Sequence, residues 1–237
     1  METKYRLSPQ VFACLSGRHC MFLDLQRDSY FSVPREDIEA LTPWIQNWSL
    51  PQCGPSPSTP PPDSTVTLAA DLLRAGILTE RAPTTLELPH RAAAAAHDLA
   101  SISPEVLDGG SVRHFFLATS ALSRASWELQ TASISRIVRA VQKTKYSASI
   151  SGATDCNEAA RLTAAFLTIR PFFPRNYCCL FDSLALLRFL SGFQLFPDWV
   201  FAVQADPFNA HCWVQAGTLV LNDHLDHVCG FTPIMTV

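Results

Sequence analysis

Two adjacent thiols, Cys178 and Cys179, stand directly ahead of a leucine-rich run in RNYCCLFDSLALLRFLSG, residues 175–192. Leu180, Leu184, Leu187 and Leu190 recur at helical spacing, with Ser191-Gly192 as a stop. The thiols therefore fall at the N-terminus of a buried helix. Unpaired backbone N–H groups and the positive end of the helix dipole favour thiolate over thiol there. A free thiol has a pKa of about 8.5, and such settings lower it to roughly 3.5–7.5. The same N–H groups suit the oxyanion formed when a thiolate attacks a carbonyl. Helix position alone does not choose between Cys178 and Cys179.

Nucleophilic catalysis also needs a base and a group that orients it. His211 opens the strand-like AHCWVQ, and Asp223 closes TLVLND. If Gly217 takes the left-handed position of a three-residue loop, Val214 pairs with Thr218 and His211 faces Leu221. Asp223 then shares a face with His211. A two-residue loop puts the two side chains on opposite faces. A Cys–His–Asp triad therefore predicts the longer loop. Zinc is the competing use of Cys178, Cys179, His211, Cys212, His224, His227 and Cys229. Adjacent cysteines chelate poorly and no pair has C-x₂₋₄-C spacing, so no metal site is expected.

These residues need a frame. WVFAVQA, the turn DPFN, AHCWVQ and TLVLND read as strands joined by tight turns, the last two at Ala216-Gly217. Ahead of them the pattern is helical. HRAAAAAHDLA has high helix propensity. SVRHFFLATSALSRASWELQ places Val112, Phe115, Phe116, Leu122 and Leu129 at apolar positions, and ISRIVRAVQK continues likewise. His90, His97 and His114 are expected on these helices as ordinary surface or packing residues. DCNEAARLTAAFLTI opens with Asp155 and Glu158 in capping-box spacing and stops before Pro171 and Pro174. Helices followed by an antiparallel sheet give an α+β domain.

The front of the chain reads as a meander of VFACLS, RHCMFLDL and SYFSV, with turns at Ser16-Gly17 and Arg27-Asp28. A helix follows Pro34, with Ile38, Leu41, Ile45 and Trp48 on one face and Pro43 as a kink or stop. LPQCGPSPSTPPPDST is Pro-rich and reads as an exposed loop or linker. STVTLAADLLRAGIL then forms an amphipathic helix, with Ser64 as cap and Gly76 as stop. Three strands and helices suit a small winged-helix-like module. The expected organisation is residues 1–82 and residues 83–237.

Composition sets the outer limits. The 237 residues are 48% hydrophobic and 16% charged, enough for a packed core. Net charge is -3, and residues 1–82 carry seven basic against nine acidic residues, which argues against nucleic acid. No apolar run reaches the roughly 18 residues of a bilayer span, and no export signal is evident, so a soluble cytoplasmic protein without a membrane partner is expected. The eight cysteines then read mostly as reduced thiols, with Cys14 and Cys20 buried in strands.

CLFDSLALLRFLSG followed by DPFNAHCWVQAGTLVLND resembles the B proteins of lasso peptide biosynthesis over roughly the last 65 residues. That family shows a Cys-Leu-x-x-Ser-Leu-Ala-Leu helix, then Ala-His-x-Trp-Val, then a strand ending in Asn-Asp. The resemblance implies a transglutaminase-like, papain-type cysteine peptidase, with Cys179 as nucleophile, His211 as base and Asp223 as its orienter. Gln215 departs from the glutamate often found there. LSGRHCMFLDLQRDSYFSV…DLLRAGIL is similar to the small leader-recognition domain of the pyrroloquinoline-quinone biosynthesis type. It implies leader binding along Ser29, Tyr30, Phe31, Ser32 and Val33, against Leu72 and Leu73. The implied function is removal of the leader from a ribosomally made precursor, with threonine preferred as the leader's penultimate residue. The implied partners are that precursor and a lactam synthetase of the asparagine synthetase type. The chain has no G-x-x-x-x-G-K-[ST] and no recognisable cofactor motif, so any ATP requirement is expected to lie with the synthetase. An acyltransferase using the same triad and a non-catalytic peptide-binding scaffold are the alternatives.

Overall fold

The structure is a computed structural model that describes residues 5–46, 63–80, 92–102, 111–148 and 155–237. The Pro-rich stretch up to residue 62, with Trp48 and Cys53, and His90 lie outside the described residues. The chain divides into two compact units, Met1–Pro89 with Val203–Asn209, and His90–Ala202 with Ala210–Val237.

In the first unit, β2 (Val11–Ser16), β3 (His19–Asp24) and β4 (Ser29–Pro34) form the expected antiparallel meander, in the order β2-β3-β4. Ser16 pairs with His19, so Gly17 and Arg18 make the first turn, and Gly17 has a φ of 57° that glycine adopts without Cβ strain. Asp24 organises the second turn: its Oδ1 accepts the N–H groups of Gln26 and Arg27 at 2.9 and 3.1 Å. A second sheet of short strands, β5 (Ile45–Gln46), β1 (Tyr5–Leu7) and β6 (Leu78–Thr79), was not expected.

Helix α1 (Arg35–Leu41) is shorter than its apolar spacing suggests. Pro43 has no N–H to continue the ladder, so the chain tightens into a 3₁₀ turn at Thr42–Trp44 and Ile45 joins a strand. Helix α2 (Asp63–Arg74) begins one residue ahead of the expected cap. Its end is a Schellman motif: Gly76, at φ 74°, donates to the Leu73 carbonyl and Ile77 to that of Leu72. Cys20, Phe22, Val33, Ile38, Leu41, Leu72 and Ile77 form the core of this unit.

The second unit carries α3 (Val112–Thr131), α4 (Ile134–Ala148), α5 (Cys156–Ile169) and α6 (Cys179–Ser191), then a sheet in the order β11-β8-β9-β10-β7. The sheet strands are β7 (His97–Asp98), β8 (Asp198–Gln204), β9 (Asn209–Ala216), β10 (Leu219–Val220) and β11 (Thr232–Thr236), and a short helix α7 (Leu225–Val228) follows β10. Three expectations fail here. The alanines 92–96 are not helical and lead into β7, which runs parallel to β10. Helix propensity differs by tenths of a kcal/mol per residue. It is overridden by sheet partners: Ala96 and His97 donate to the Thr218 carbonyl at 2.9 and 3.2 Å. His97 is therefore a strand residue, and the sheet is mixed at this edge.

Of the apolar positions noted on α3, Leu122 alone is fully buried. Ala118, Ala121, Leu122 and Ala125 are buried, while Val112, Phe115 and Phe116 are exposed. Small residues let α3 approach α6 closely, which bulky ones would prevent. His114 lies on α3 as expected, where it and Ser111 form a capping box. At the start of α5, Asp155 accepts from the N–H groups of Asn157 and Glu158, but Glu158 turns to Arg161 instead of completing the box.

Candidate functional site

Helix α6 begins with Cys178 as N-cap and Cys179 as its first residue. Both sit at the end of a loop wrapped on one buried cation. The Arg170 guanidinium pairs with Asp182 and donates to the carbonyls of Arg175 and Asn176 at 3.0 and 3.2 Å. The second oxygen of Asp182 accepts the Cys178 N–H at 2.8 Å. The sequence reading gave neither residue a role. The signal was an acid in the first helical turn and an arginine ahead of Pro171.

His211 lies on β9, where its Nε2 is hydrogen-bonded to Asp223 Oδ2, so Nδ1 is the ring nitrogen that remains for Cys179. The His211 ring packs against Trp213 at 6.0 Å and Phe231 at 5.1 Å. Cys179, His211 and Asp223 thus converge.

They do so on the shorter loop, which strand alternation alone makes incompatible with a triad. Ala216 pairs with Leu219, so Gly217 and Thr218 form a two-residue loop, not three. Strand alternation would then separate His211 from Asp223. It does not apply, because β10 ends at Val220 and the chain bends over residues 221–223. Leu221 still donates to the Val214 carbonyl at 2.9 Å, but the return bond from Val214 N–H goes to the Asn222 side chain at 2.7 Å. An amide oxygen has replaced the ladder carbonyl, which frees the backbone to turn Asp223 toward the histidine. Asn222 also donates to Ser183 Oγ at 3.0 Å, and Ser183 donates to the Cys212 carbonyl at 3.2 Å. Ser183 lies one turn after Cys179 on α6, so this chain ties the helix bearing the thiol to the strand bearing the imidazole.

Gln215, noted only as a departure, is buried and fully used. It accepts from Trp213 Nε1 at 3.0 Å and donates to the carbonyls of Ala93 and Gly217, both at 2.7 Å.

The electrostatics follow from these contacts. Hydrogen bonds from the Cys212 thiol and from His211, against the opposing effect of burial, lower Cys179 from 9.0 to about 4. Burial disfavours charged His211, but hydrogen bonds to Asp223 and Cys179 outweigh it and raise the imidazole from 6.5 to about 9. Burial likewise opposes charged Asp223, yet hydrogen bonds from His211, the His224 N–H and His227 bring it from 3.8 to about 2. Between about 4 and about 9 the pair is a thiolate and an imidazolium beside a carboxylate. This arrangement can attack a carbonyl, hold the acyl group as a thioester and return a proton to the departing group.

The model of the transglutaminase-like superfamily matches residues 117–236. The chain belongs to the transglutaminase-like superfamily. Comparison with curated proteins and with solved structures finds no match. The matched span of this transglutaminase-like chain contains Cys179, His211 and Asp223, and the superfamily is compatible with cysteine peptidase or acyltransferase chemistry. Among the described residues, His211, Asp223 and His227 offer donor atoms within 4.8 Å of one another, the one grouping that could hold a metal ion. No helix among the described residues is long and apolar enough to cross a membrane.

The residues expected to bind a leader lie in the first unit. Ser29–Val33 belong to β4, at the end of the meander sheet. Phe31 stacks on Phe22 at 4.8 Å, and Val33 is buried. Leu72 is buried in the same core and Leu73 packs against it.

Proposed function

We propose that the protein is a leader peptidase of lasso peptide maturation. The observation that carries this reading is the convergence of the Cys179 thiol, the His211 imidazole and the Asp223 carboxylate at the N-terminus of α6. Cys179 attacks the carbonyl at the leader–core junction. The His211 imidazolium protonates the departing core amine, and water then releases the leader from the thioester. The freed amine is the substrate of a lactam synthetase of the asparagine synthetase type, which joins it to an Asp or Glu side chain and meets any ATP requirement. The leader is held as an added strand along Ser29–Val33 of β4, the end strand of its sheet, beside the α2 face of Leu72 and Leu73. Main-chain hydrogen bonds supply affinity in such binding, and side-chain pockets supply register.

Incubation with a precursor peptide and mass spectrometry test the chemistry. Hydrolysis gives two fragments whose masses sum to precursor plus one water. A leader fragment carrying an added amine in place of that water indicates acyl transfer instead. Leader removal undiminished in Cys179→Ala would leave only a peptide-binding scaffold. Strand addition is tested with labelled leader and fluorescence anisotropy: Ser32→Pro should abolish binding while Cys179 alkylation is unchanged. Unaltered affinity would end the β4 assignment.

A further inference from the structure

Asp223 serves two imidazoles. Its Oδ2 accepts from His211 Nε2, and its Oδ1 accepts the His224 N–H at 2.7 Å. His227 Nδ1 lies 3.0 Å from Oδ1 and 3.1 Å from Oδ2. A carboxylate only accepts, so His227 Nδ1 carries the proton and makes a bifurcated bond to both oxygens. The placement is local, since His227 follows Asp223 by four residues and α7 turns it back. That short helix is itself pinned: Leu225 N–H donates to Asp98 Oδ2 at 2.9 Å, and Val228 is buried. The His227 ring meets Phe231 edge-on at 5.4 Å and lies 4.7 Å from the His211 ring. Its side chain is 52% exposed against 13% for Asp223, so it closes the solvent side of the carboxylate.

We infer that His227 is a positioning residue, which holds the Asp223 carboxylate in the plane that receives His211 Nε2–H. This rests on reading Cys179, His211 and Asp223 as a nucleophilic triad, but not on the identity of the substrate. Water can replace His227 as a donor to Asp223, but it supplies no fixed direction. Loss of His227 therefore costs alignment of the carboxylate more than its charge. The groups facing this cluster are Cys179 from α6, His211 from β9, Asp223 and His224 from its own segment, and Asp98 from β7. Asp98 is spoken for by the Leu225 N–H, which holds its carboxyl below the ordinary range. Trp213 and Phe231 add no charge.

The probe is iodoacetamide, with alkylation of Cys179 in the full chain followed by peptide mapping across pH. The profile has an acid inflection, where the thiol ionises, and an alkaline one, where His211 loses its proton. A misaligned Asp223 supports the imidazolium less, so His227→Ala should raise the first and lower the second, each by about one pH unit. His227→Asn should restore both, because an asparagine amide nitrogen falls where His Nδ1 sits. A His227→Ala profile that overlays the wild type overturns the inference, and so do equal shifts in Ala and Asn. His211→Ala is the control on the triad itself. If it leaves the profile unmoved the triad reading fails, whereas a shift there but not in His227→Ala removes this inference alone.

Discussion

Cys14 and Cys20 in the first unit, and Cys179 and Cys212 in the second, are both pairs of interacting thiols, yet they are driven apart electrostatically. Burial raises Cys14 and Cys20 to about 12, and for Cys20 the neighbouring thiol adds to the effect. In the second pair Cys179 falls to about 4, while its hydrogen bond to Cys179, together with burial, keeps Cys212 well above the ordinary value. A second sulfur by itself therefore does not activate a thiol. What the second pair has is a cation held in place by a carboxylate, His211 on Asp223. The contrast can be broken at either end.

The largest effect is expected at the nucleophile. On the proposed peptidase reading, Cys179→Ala should cut precursor cleavage by at least about 10³-fold, because the residues of a triad act as a unit. Cys178→Ala should retain most of the activity, since its backbone N–H, not its thiol, is what Asp182 holds. Equal loss in both variants, read by mass spectrometry, would mean that the helix N-terminus and not one sulfur makes the site.

His211→Ala comes next. It removes the cation that distinguishes the two thiol pairs, so the acid inflection of Cys179 alkylation should climb from about 4 toward the ordinary value. The sign is fixed by the ion pair: a thiolate favoured by a neighbouring cation binds its proton more tightly when that cation goes. At pH 6 alkylation should slow by roughly 100-fold, a loss of about 2.7 kcal/mol. A profile still centred near its original position would assign the activation to the helix N-terminus and Cys212 instead.

Much of this contrast was legible in the sequence. The helical run of α6 and the burial of Cys14 and Cys20 follow from periodicity and residue type, whereas the choice of Cys179 over Cys178 came from the family resemblance alone. The register was not. Hairpin arithmetic assumes that a strand continues, and β10 stops at Val220 because the Asn222 side chain takes over a backbone bond. Nothing in the letters LVLND marks that substitution. The alanine run misled for a related reason. Its helix preference is weak, and Gln215 and Thr218, more than a hundred residues away, supply the partners that hold it extended. Gln215 itself looked incidental until its two carbonyl acceptors were visible.

Arg170→Ala should act on the frame rather than on the thiol. It leaves Asp182 without its cation and takes the guanidinium donor from the Arg175 and Asn176 carbonyls, at a cost of about 3–5 kcal/mol in stability. Thermal unfolding measures it. An unchanged midpoint would mean that the loop before Cys178 holds its shape without the buried cation.

The smallest effects lie with the sulfur neighbours, and they test the comparison most finely. Cys212→Ala removes the contact that favours thiolate at Cys179, but a thiol is a weak donor beside a charged imidazolium. The acid inflection should therefore move up by less than in His211→Ala, and Cys212→Ser, which restores an O–H donor, should move it back. Cys20→Ala is the matched change in the other pair. It should leave Cys179 untouched and cost only about 1 kcal/mol, from the small cavity opened beside Phe22 and Val33. If Cys212→Ala shifted the inflection as far as His211→Ala, the neighbouring sulfur and not the histidine would be what separates an activated thiol from an inert one.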